Sequence, residues 1–181
     1  MAQEHADEDS ASVSWETQCQ VYISASYSGQ QFVQTLASFA NVSAGIRLKQ
    51  SVDVSIYYGT ILNDFKKQII FPTSFFYEQD NLGIQFQYEF TRRKLRPLAG
   101  FGMNYARLSW KSEGDLADNF TDNVFIYSGY VGMAWSIGQI FSLQGSLGYA
   151  WPGEVEIIGL EAEGFQGLNF NVAIKTGVFS F

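Results

Sequence analysis

The chain has 181 residues, with 11 Lys and Arg against 18 Asp and Glu for a formal net charge of −7, one Cys and one His. That length makes one domain with a full core, and the acidic balance excludes a nucleic-acid binder. A single cysteine excludes a disulfide framework, and the single histidine, His5, leaves no base for a Ser-His-Asp arrangement and no His-rich metal site, so the chain reads as non-enzymatic, with no cofactor and no metal.

Residues 1–12 are small, acidic and without apolar periodicity, and read as a flexible tail. They look like a mature N-terminus from which an export signal has been removed. No window of 18 apolar residues reads as a transmembrane helix. From residue 13 to 181 the dominant signal is a period of two, the signature of strands, and these residues form a single domain.

From Trp15 to Tyr27 the odd positions (Trp15, Cys19, Val21, Ile23) are apolar and the even ones (Glu16, Gln18, Gln20, Ser24) polar. Weaker alternation follows at 40–49 (Val42, Ala44, Ile46, Leu48) and 52–62 (Val52, Val54, Ile56, Tyr58). It is strong at 81–90, where Leu82, Ile84, Phe86, Tyr88 and Phe90 share a face. At 97–110 Phe101, Met103 and Tyr105 oppose Gly100, Gly102 and Asn104. At 124–137 Phe125, Tyr127, Val131, Met133 and Trp135 alternate with small or polar residues, and at 140–151 Phe141, Leu143, Leu147, Tyr149 and Trp151 do the same. The last strand is 168–181.

Eight antiparallel strands are thus expected, with connections alternately long (28–39, 63–80, 111–123, 152–167) and short (around Gln50-Ser51, Thr91 to Arg96, Gly138-Gln139). That is the layout of an up-and-down barrel with long loops at one end and tight turns at the other. In the middle of the strands the polar face is small and uncharged apart from isolated charges such as Glu16, Arg47, Asp53 and Glu89, which suits a narrow interior and offers little to hold an exterior in water. Large aromatics gather at two levels. Trp15, Trp135, Phe179 and Phe181 fall at the short-turn end, and Trp110, Tyr149 and Trp151 toward the long loops, as in the girdles of a membrane barrel. The inverted arrangement, a soluble lipocalin-like carrier, is the alternative from another class.

The closing stretch 169–181, with Phe179 two residues before a terminal Phe181, resembles the assembly signal of bacterial outer-membrane barrels. The glycine-aromatic segments Arg96 to Tyr105 and Gly145 to Trp151 resemble strands of small OmpA/OmpX-like barrels. The resemblance covers residues 13–181. It implies an eight-stranded transmembrane β-barrel in the bacterial outer membrane, embedded in its lipid bilayer, with both termini and the short turns in the periplasm. It also implies recognition by the barrel-assembly machinery through the C-terminal strand. One position departs from a simple phase: counting back from Phe181 puts Lys175 outward, counting forward from Leu168 puts it inward, and a bulge near Thr176-Gly177 would reconcile them.

Charge is sorted by end. The long loops carry eleven acidic and three basic side chains, whereas the short turns carry only Lys49, Arg92, Arg93, Lys94 and Arg96. The basic run 92–96 is too short for nucleic acid and suits a solvated turn or contact with anionic lipid headgroups. Within the strands, Glu16, Arg47, Asp53 and Glu89 fall on the inward phase, where they would form an ion-pair plug or set the selectivity of a narrow pore. The loop segments Ile69 to Tyr77 and Val155 to Leu160 are too apolar for ordinary surface loops. They suit strands that continue beyond the membrane, or loops that fold over the mouth. Function is expected from a structural envelope component or a loop scaffold for adhesion and extracellular partners. A narrow conduit for small or hydrophobic solutes is the alternative.

Overall fold

The computed structural model describes residues 19–32, 35–49, 51–62, 65–70, 73–91, 93–112, 120–153 and 166–177, none of them helical. The strands are β1 (Cys19–Phe32), β2 (Thr35–Leu48), β3 (Val52–Ile61), β4 (Phe65–Ile70), β5 (Thr73–Glu89), β6 (Leu95–Ser112), β7 (Phe120–Ile137), β8 (Phe141–Pro152) and β9 (Gly167–Gly177). All pair antiparallel. β1 pairs with β9, and β3 with β5, so eight strands close on themselves and β4 stands outside the ring. Closure leaves the eight wall strands no free edge over the height they share, the condition for strands to cross lipid.

The period of two decides which residues face out. Val21, Ile23, Ile56, Leu82, Val131, Leu147 and Leu168 point outward with nothing of the protein over them, Val21 at 69 % and Leu147 at 67 % exposed. Leucines and valines this bare in water would be an aggregation surface; a bilayer is the solvent that suits them. On β6 the outward run Leu95, Pro97, Ala99, Phe101, Met103, Tyr105 ends at Arg107. Ten residue steps are about 33 Å along a strand, or about 25 Å along the normal at a ~40° tilt, the height of a membrane barrel's apolar band.

Several strands run past their expected ends. Between β1 and β2 the ladder continues through Ser28↔Phe39 to Phe32↔Thr35, so most of the loop expected at 28–39 is paired strand. Its alternation is hard to see in sequence because Ser28, Gln30, Gln31 and Ser38 are polar on both faces. The apolar segment from Ile69 is also largely strand. β5 begins at Thr73, and β4 hairpins onto its upper half (Phe65↔Tyr77), taking the place that β3 holds lower down. β6 and β7 extend alongside, to Ser112 and from Phe120, which raises a sheet above the band.

The tight end is built by turns at Lys49, in the left-handed region at φ 50°, and Gly138, at φ 68°. The first is closed by Ser51 N–H donating to Leu48 O at 3.1 Å.

Candidate functional site

The lumen carries the chemistry. At its turn end Arg47 (β2) holds Asp53 (β3) through two parallel bonds, Nε to Oδ1 at 2.7 Å and Nη2 to Oδ2 at 2.9 Å. The same Nη2 donates to Glu89 Oε1 (β5) at 2.6 Å. Arg96 Nε on β6 lies 2.5 Å from Glu89 Oε2, and Arg96 Nη2 reaches Ser142 Oγ on β8 at 3.5 Å. From β9, Lys175 Nζ donates to Asp53 Oδ2 at 2.8 Å and sits 4.8 Å from the centroid of the Tyr22 ring. Gln144 Nε2 donates to Gln87 Oε1 at 2.8 Å, and Gln87 Nε2 to Glu89 Oε1 at 3.3 Å. All five charged residues are at most 6 % exposed. Charges removed from water persist only when paired, and this cluster pairs each of its five charges by joining strands from around the ring; Glu89 Oε2 and Arg96 Nε meet as an ion pair and make no hydrogen bond among the described residues.

Of the four inward charges expected from sequence, the structure brings Arg47, Asp53 and Glu89 together; Glu16 lies outside the described residues. Sequence reasoning missed Arg96 and left the facing of Lys175 open. Arg96 belongs in sequence to the basic turn, yet it shares the even phase of Leu98, Gly100 and Asn104 and therefore points inward. It is the one described residue of that run drawn into the barrel; Arg93 and Lys94 are exposed. Lys175 points inward, and the ladder to β1 runs unshifted through Ser24↔Lys175, Ile23↔Thr176 and Tyr22↔Gly177, so no bulge falls among the described residues of β9.

Above the cluster lies a cavity of about 110 Å³ whose walls are mostly serine, asparagine, glutamine and tyrosine, with Phe39 and Ile126 among them, and whose floor includes Asp53 and Lys175. Some wall groups bond one another: Ser24 and Ser43 hydroxyls meet at 2.6 Å, and Asn41 Nδ2 donates to Ser28 Oγ at 3.0 Å. Gln144 Oε1 is buried and accepts no hydrogen bond. Toward the loop end most inward positions turn apolar, with Phe39, Ala106, Leu108, Val124 and Ile126 all buried and Gln79 a buried polar group among them. Among the described residues, no group of three or more His, Cys, Asp or Glu is spaced to hold a metal ion.

Inward tyrosines fit this narrow lumen because each lies across a glycine of the neighbouring strand. Tyr57 is paired with Gly83 and Tyr130 with Gly100. A Cβ on Gly83 would stand 2.6 Å from the Tyr57 ring. A Cβ on Gly100 would overlap the Tyr130 ring.

Outside, Trp135 is exposed at the turn end of β7, and Tyr149 and Trp151 at the loop end of β8. The Trp151 ring is 6.3 Å from Phe101, which stacks on Tyr127 at 6.4 Å. Trp110 belongs to β6. Trp15, Phe179 and Phe181 lie outside the described residues, as does the acidic N-terminal stretch. Cys19 is a free, exposed thiol on the outward face.

No protein-family model and no curated protein sequence matches the chain. Among solved structures it is similar to Neisserial surface protein A, with a TM-score of 0.61 at 15 % identity over 90 % of this chain and 97 % of that one. It is also similar to a major outer membrane protein from Thermus thermophilus (TM-score 0.58, 13 % identity, 87 % and 99 % covered). A third likeness is to OprG from Pseudomonas aeruginosa (TM-score 0.60, 8 % identity, 90 % and 97 % covered). At such identities the likeness carries the fold. The chain is a closed eight-stranded antiparallel β-barrel resembling those of bacterial outer-membrane proteins.

Proposed function

We propose that the chain is a non-enzymatic integral protein of the outer membrane, a structural envelope component whose raised strands carry loops toward an extracellular partner. The observation behind this reading is the paired five-charge cluster at the turn end of the lumen. Ions would have to break buried pairs to pass it, and each broken pair leaves an uncompensated buried charge. In this reading the termini face the periplasm, and the strand ending in Phe179 and Phe181 engages the assembly machinery. The test is planar-bilayer recording on the refolded protein. A silent membrane supports the closed barrel; steady single-channel steps overturn it.

The polar cavity favours a second reading, a narrow conduit for small solutes. It would require the charge cluster to rearrange, so conductance steps of uniform size would be its signature.

A further inference from the structure

The turn end of the barrel exposes three cations and, among the described residues there, no acid. Lys49 stands on the β2–β3 turn, and Arg93 and Lys94 on the β5–β6 turn; all three are exposed. The two described acids at this end, Asp53 and Glu89, point inward and are consumed by the lumen cluster. None of the three exposed cations has an ion pair or side-chain hydrogen bond with a described residue.

The two turns are neighbours. Glu89 N–H donates to Ser51 O at 2.8 Å, which ties the β2–β3 turn to the base of β5. Ser136 N–H donates to Lys94 O at 2.9 Å, which ties the β5–β6 turn to β7 beside Trp135. The cations therefore border the lower edge of the apolar band, where Phe90, Leu95, Trp135, Ile137 and Ile140 are outward and exposed. Free cations one step beyond lipid-facing aromatics stand at headgroup depth.

We infer that this arc, Lys49 with Arg93 and Lys94, binds the phosphates of anionic phospholipids in the leaflet at the turn end. The occupant follows from charge complementarity together with continuity with the lipid-facing band. A soluble anion would have no use for the neighbouring aromatics, whereas a phospholipid uses both. Each such cation is worth about fivefold in affinity for an anionic surface. The prediction has an unusual sign, because the chain's net charge of −7 taken alone would repel anionic lipid.

The test uses Trp135, exposed at this edge, as reporter. In a Trp15→Phe, Trp110→Phe, Trp151→Phe background, refolded into phosphatidylcholine vesicles, quenching by brominated phosphatidylglycerol is compared with quenching by brominated phosphatidylcholine. Expected is a preference for phosphatidylglycerol of about fivefold or more at low salt, shrinking toward one in roughly 0.5 M NaCl as screening sets in. Lys49→Asn combined with Arg93→Gln and Lys94→Gln should abolish it, asparagine being chosen because position 49 is left-handed. Equal quenching by the two lipids, or a preference that survives the triple variant, overturns the inference. So does loss of the preference in inorganic phosphate when chloride of equal ionic strength leaves it intact, because the arc would then be a free-phosphate site. The salt series on the unsubstituted turns decides the matter even if the triple variant fails to refold.

Discussion

Lys175 and Asp53, 122 residues apart in sequence, meet inside the barrel with Nζ donating to Oδ2 at 2.8 Å. That contact joins β9 to β3, two strands that share no ladder, and the same carboxylate is gripped on its other side by Arg47. Asp53 is 1 % exposed and is thus the anion on which two buried cations depend. Asp53→Ala should destabilise the barrel by about 3–5 kcal/mol, the usual cost of leaving buried charge unpaired. Urea unfolding from vesicles, read by loss of the cold gel-mobility form, measures it. A loss under about 1 kcal/mol would mean that water reaches the site and solvates the stranded cations.

The tyrosine-on-glycine pairs make a second prediction with an internal control. Gly100→Ala places a methyl where the Tyr130 ring lies, and Gly83→Ala crowds both the Tyr57 ring and Met103 O, at 2.7 Å. Overpacking of this kind costs about 1–3 kcal/mol. Gly145 faces outward with nothing within 4 Å, so Gly145→Ala should change stability by no more than about 0.5 kcal/mol. Equal effects at the three positions would show that backbone freedom, rather than the tyrosine contact, sets the glycine requirement.

Much of the barrel is legible in the sequence because a membrane strand with a polar lumen must alternate for its whole length. Leu82 to Phe90 and Phe125 to Ile137 show this with hardly an exception. The phase also places Arg47, Asp53 and Glu89 on one face. It breaks down where both faces are polar. Above the band the outward side of β1 and β2 no longer needs apolar groups, so Ser28 to Phe32 reads as loop although it is paired strand. Arg96 is hidden by its neighbours, because a run of four cations in five residues reads as one surface patch. Its parity with Leu98 and Gly100 is the available signal. That Glu89 would receive both Arg47 and Arg96 is beyond sequence. Parity gives the face, but the height at which distant strands meet comes from the stagger of the closed ring.

The exterior gives a prediction that separates lipid from water directly. Leu147 is 67 % exposed on β8, with Val131 beside it on β7 and Phe170 on β9, well inside the apolar band. In a water-soluble protein an arginine at so open a position would be nearly neutral or would help solubility. In a bilayer Leu147→Arg should cost about 2–4 kcal/mol if the site lies near the midplane. Asn123 on β7 is also outward and exposed, but it stands two residues beyond Phe125 and opposite Arg107, past the edge of the band. Asn123→Arg should therefore cost only about 0–1 kcal/mol. Both are measured by reversible unfolding from the same vesicles. The difference between the two sites, rather than either value alone, reports depth. If Leu147→Arg cost no more than Asn123→Arg, the band of outward aliphatics would have to be covered by protein, such as a second copy of the barrel, instead of by acyl chains.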